Sequence, residues 1–88
     1  MKRLFARMEH PNNGYESDKK DAALLDPKKL YEVKEVHMGQ SNTSVELDTG
    51  FKRTLFNSVN LEFYLEGSET PHDIYSDPDY NPYIQQIR

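Results

Sequence analysis

The stretch LFNSVNLEFYLEG, residues 55–67, is the most apolar run of the chain, yet Asn57, Ser58 and Asn60 interrupt it within four positions. This interruption constrains the fold more than any other feature. An unbroken strand from 51 to 65 would be far longer than the roughly 3–10 residues usual for strands. Small polar side chains can instead bond local backbone groups in a single turn of 3₁₀ helix, which lets the chain turn a corner in three or four residues. The segment then divides into a fourth strand, FKRTLF, a corner in which Val59 plugs the apolar interior, and a fifth strand, LEFYL. In that last strand Leu61, Phe63 and Leu65 alternate with Glu62 and Tyr64.

Three strands precede the corner. KRLFARMEH places Leu4, Ala6 and Met8 on one face. LYEVKEVHM loses its phase between Tyr31/Val33 and Val36/Met38, and a bulge near Lys34–Glu35 would restore a single buried face. TSVELD turns Thr43, Val45 and Leu47 inward, and DTG then forms a tight hairpin with Gly50 at its positive-φ position. Between the first two strands PNNGYES is a turn cluster. DKKDAALLD follows as a helix of about two turns, capped by Asp18 and stopped at Asp26 before Pro27, which drops Leu24 and Leu25 onto the core. Five short strands in 88 residues must curl to hide their edges, so the expected fold is mainly β, a small five-stranded barrel.

The order of strand, long loop, three-strand meander, 3₁₀ corner and strand resembles the SH3-like barrels over residues 2–66. The run LYEV…TSVEL…FNSVNLEF is also similar to small barrel proteins of unknown function carried by bacteriophages and mobile elements of bacteria. Proline-peptide-binding SH3 domains line their groove with Trp and Tyr, and this chain has no Trp. The resemblance therefore implies an architecture and leaves that ligand class behind.

Residues 68–88 differ in kind from the domain of residues 1–67. They hold three of the five prolines and three of the six tyrosines with no strand period, an irregular acidic extension. Within it NPYIQQIR has Asn81 as an N-cap, Pro82 at the first helical position and Arg88 at the end, a short helix presenting Tyr83, Ile84 and Ile87. Such a helix needs a surface to dock on.

Charge and chemistry narrow the function. Net charge is −4: residues 1–59 carry ten Lys and Arg against nine acids, whereas residues 60–88 carry Arg88 against six. The acidic part repels a phosphate backbone, so nucleic acid is not the expected partner. No apolar run approaches a membrane span or a secretory signal. With no cysteine there is no disulfide framework or thiolate nucleophile, and a cytoplasmic protein is expected.

His10, His37 and His72 fall in different elements without an i, i+4 partner, and HDIYSDPD lacks the Gly and distal Glu of a calcium loop. No metal site or cofactor is expected. FNSVN is not a nucleophile elbow, and no Gly-rich phosphate loop is present, so no enzyme is expected. The residues fit a protein-interaction module, an accessory or inhibitory factor that is a monomer or weak homodimer through its extension. Its surface would use Tyr15, Tyr64, Tyr75, Tyr80 and Tyr83, since tyrosine gives large contact area at low side-chain entropy. The alternative is a single-strand nucleic-acid binder with a basic strip of Lys2, Arg3, Arg7, Lys52 and Arg53 and Phe5 for base stacking. A third reading is an acidic mimic of nucleic acid.

Overall fold

The computed structural model describes residues 2–84. Five strands form one antiparallel sheet in the order β4-β3-β2-β1-β5: β1 Leu4–Met8, β2 Tyr31–Met38, β3 Thr43–Leu47, β4 Leu55–Asn57 and β5 Leu61–Leu65. Helix α1, Glu16–Ala22, lies in the first connection, and 3₁₀ turns cover Ser58–Asn60 and Ile74–Ser76. The mainly β fold is as the alternation predicts. Leu4, Ala6 and Met8 of β1 and Thr43, Val45 and Leu47 of β3 are all buried. The bulge in β2 is present. Val33 pairs with Leu47 and Glu35 with Glu46, so Lys34 falls out of the ladder and Val33, Val36 and Met38 all pack on one core.

Four expectations need correction. First, the sheet is open: β4 and β5 are its two edges rather than joined partners. With only three residues, β4 is spent on pairing with β3 before the chain turns into β5. Second, Phe51–Thr54 do not extend that strand, and DTG is not a tight hairpin. The Thr49 hydroxyl bonds the carbonyls of Phe51 and Arg53, and the Leu47 amide reaches the Thr54 carbonyl at 2.8 Å, so residues 48–54 close as a compact loop. Third, α1 starts at Glu16. Asp18 sits in its first turn and reaches back to accept from the Tyr15 amide at 2.9 Å. The helix ends at Ala22, which buries Leu25 and leaves Leu24 outside. Fourth, Val59 plugs nothing, being 41% exposed.

The extension returns to the domain. The His72 amide donates to the Phe63 carbonyl of edge strand β5 at 2.7 Å, and Ile74, fully buried, joins the same core as Leu61 and Phe63. Tyr80 packs partly on that core. Asn81 Oδ1 accepts from the Tyr83 amide, as a cap would, while Ile87 and Arg88 of the expected terminal helix lie outside the described residues.

Candidate functional site

The polar residues of the corner do two different jobs. Asn57 behaves as its local sequence predicts, its side chain accepting from the Val59 amide at 3.1 Å. Ser58 and Asn60 are buried and bond distant segments instead. Asn60 Nδ2 donates to the carbonyls of His10, at 2.8 Å, and Asn13, at 3.0 Å, and its own carbonyl accepts from the amides of Glu9 and His10. Ser58 is hydrogen-bonded to the Tyr75 hydroxyl. One three-residue turn thus fastens both the first loop and the C-terminal extension.

Where the extension meets the corner, a cleft of about 460 Å³ opens. Its walls are the β2–β3 connection (residues 38–43), the corner (57–59) and Tyr75, Asn81 and Tyr83. Each wall is held from behind. The Gly39 amide closes its turn on the Asn42 carbonyl at 2.8 Å, and the Asn81 amide group donates to the Tyr75 carbonyl at 2.7 Å. Asp73 caps the 3₁₀ turn that carries Tyr75, and the Ser76 hydroxyl and Tyr75 amide lower its carboxyl pKa below the usual range. Val59, Tyr75 and Tyr83 are each about half exposed there, which leaves apolar surface facing solvent beside amide groups. None of the twelve described residues that line it carries a charge, in a chain where charged residues are 30%. No histidine lines it.

Of the five tyrosines singled out from sequence, the structure brings together Tyr75 and Tyr83. Tyr80 is half-buried, edge-on to His72 with ring centroids 6.3 Å apart. Tyr64 is buried under Arg7, whose guanidinium lies 5.0 Å from its ring, and its hydroxyl donates to Glu9. That bond raises the Tyr64 pKa and lowers that of Glu9. Tyr15, 81% exposed, stands at the start of α1.

The basic residues are dispersed. Arg3 forms two bonds with Glu32 and lies over Phe5, Arg7 is engaged by Glu9 and Tyr64, and Arg53 is 3.6 Å from Asp21. Lys2 and Lys52 are exposed, but Lys52 sits in the 48–54 loop, which leads to the opposite edge of the sheet from β1 and β5.

Apart from Tyr75 and Tyr83, sequence reasoning missed the cleft's lining: residues 38–43 of the β2–β3 connection, residues 57–59 of the corner, and Asn81. A signal was available, because MGQSNTS and NSVN are uncharged runs within a highly charged chain. No helix among the described residues is long and apolar enough to cross a membrane.

A family model described as bacteriophage T4 protein Y07B matches residues 3–86, and the chain belongs to that family. The phage half of the resemblance noted from sequence is therefore shown. No curated protein and no solved structure matches the chain.

Proposed function

We propose that this phage-family protein is a non-enzymatic interaction module, acting in the cytoplasm, whose cleft holds an extended, uncharged segment of a partner protein. The observation that carries this reading is the cleft itself: half-exposed Val59, Tyr75 and Tyr83 beside Asn42 and Asn57, with no charged group among the described residues that line it. Aromatic faces supply contact area, and amides pair with the backbone of an extended chain. The scaffold is, on this reading, an open variant of the SH3-like barrel. The strand order, the long first connection and the 3₁₀ corner between β4 and β5 support that. The pairing of Arg3, Arg7 and Arg53 with carboxylates favours a protein partner over a nucleic acid.

The test is selection of peptides from a display library against the full chain, followed by amide NMR mapping of the selected sequences. Selected peptides are expected to be poor in charge and to shift residues 38–43, 57–59 and 75–83. Tyr83→Ala should weaken them by roughly tenfold, about 1.4 kcal/mol, typical of a moderate contact residue. Tyr15→Ala should leave them unchanged. Failure to select any peptide, or shifts confined to other surfaces, would overturn the assignment.

A further inference from the structure

The outer face of the β2–β3 pair carries a second constellation, away from the cleft. Glu35 and Glu46 are direct partners in the antiparallel register, and His37 lies two residues along β2, opposite the small Ser44. Side chains at i and i+2 of a strand share a face, and directly opposed residues share it too. One imidazole nitrogen and two carboxylate oxygens therefore converge, all within 4.8 Å of one another. His37 Nε2 is 3.5 Å from Glu35 Oε1. Two ligands held at about 2.0–2.1 Å in a tetrahedron lie roughly 3.4 Å apart, so that pair is already near its ligating separation. Partly buried Glu46 supplies the third ligand atom within the same 4.8 Å.

The pairing has no other evident compensation. Like charges directly opposed across strands are unfavourable. Among the described residues, neither Glu35 nor Glu46 is paired with a lysine or arginine. The bulge contributes to this arrangement, since it takes Lys34 out of the ladder while turning Glu35 outward. The other two histidines each already have a single carboxylate partner at 2.7 Å, His10 with Glu62 and His72 with Asp77. His37 is the histidine that faces two.

We infer that Glu35, His37 and Glu46 form a surface site for a divalent transition-metal ion of the zinc class, with water in the remaining positions. One nitrogen and two oxygens suit such an ion, whereas calcium takes six to eight oxygen ligands. The bound ion turns the Glu35–Glu46 repulsion into a cross-strand clamp on the hairpin whose connection forms one wall of the cleft.

The experiment is titration of the full chain with zinc chloride at neutral pH, followed by calorimetry and by NMR of the histidine rings. One equivalent is expected to bind and to shift the His37 ring and the amides around 35–37 and 44–46, with calcium far weaker. His37→Asn and Glu46→Gln should each weaken binding by roughly tenfold or more, on the scale of losses at metal sites. Glu46→Gln should also make the metal-free protein slightly more stable, because it removes the like-charge pair, while reducing the stabilisation that a given zinc concentration confers. The inference is overturned if no stoichiometric binding occurs at millimolar zinc. It is equally overturned if binding persists in His37→Asn with shifts at His10 or His72.

Discussion

Asn60 should be among the costliest polar side chains to remove, and the structure says by how much. It is 2% exposed, and its amide donates two bonds, at 2.8 Å to the His10 carbonyl and at 3.0 Å to the Asn13 carbonyl. A net contribution of about 1 kcal/mol per bond gives about 2 kcal/mol. Asn60→Ala should therefore lower stability by about 2 kcal/mol. At roughly 4–8 °C per kcal/mol for a chain of this size, Tm should fall by about 8–16 °C. Asn57→Ala is the control, three residues away in the same uncharged run. Its side chain makes one local bond, to the Val59 amide, as a cap does, and its loss should cost about 1 kcal/mol. Urea unfolding followed by tyrosine fluorescence and circular dichroism measures both. Because the slope against urea tracks the surface exposed, it should be the same in both variants and the wild type. Equal costs for the two asparagines, or less than about 1 kcal/mol for Asn60→Ala, would refute the argument that the corner is a long-range tie.

Ile74→Ala should destabilise the whole chain by about 3 kcal/mol with an unchanged urea slope, because Ile74 is fully buried in the core that the strands build; chemical denaturation measures it, and a loss confined to the extension would contradict that core. Asp77 predicts a pH dependence: the Asp79 amide and the His72 ring, both bonded to it, hold its carboxyl below the ordinary range. A depressed folded-state pKa gives stability that is present above the unfolded value, about 4, and is lost as pH falls through the folded one. The stability difference between wild type and Asp77→Asn should accordingly be full at neutral pH and vanish in acid, as read by unfolding curves over that span.

What the sequence made legible was whatever depends on neighbours along the chain. The alternation of Leu4, Ala6 and Met8, the phase slip at Lys34, the inward set Thr43, Val45 and Leu47 and the 3₁₀ corner all follow from local period and turn chemistry. What it hid depends on partners far along the chain. Nothing in FKRT announces that Thr49 will hold it in a loop. Tyr64 reads as an outward residue by alternation, but Arg7 and Glu9 of the neighbouring strand and its exit cover it. The pairing of Glu35 with Glu46 needs the register of two strands, and that register needs the bulge. The cleft needs three segments at once, so single residues such as Tyr75 were legible and their assembly was not.

The corner is where fold and site become the same problem. An apolar turn at 57–60 would satisfy the core equally well, but it could not hold the first loop through Asn60 or the extension through Ser58. The same turn that joins β4 to β5 holds the Tyr75 hydroxyl through Ser58, and Asn57, Val59 and Tyr75 all line the cleft. Polar atoms suit this task better than apolar ones because a hydrogen bond fixes direction, whereas burial rewards any close contact. The interruption of the most apolar stretch is thus the means by which a small sheet holds two irregular segments in register with each other. A change at Ser58 that preserved the core, such as Ser58→Ala, would leave the strands in place and free the Tyr75 hydroxyl, while Ile74 in the core still holds the segment that carries it.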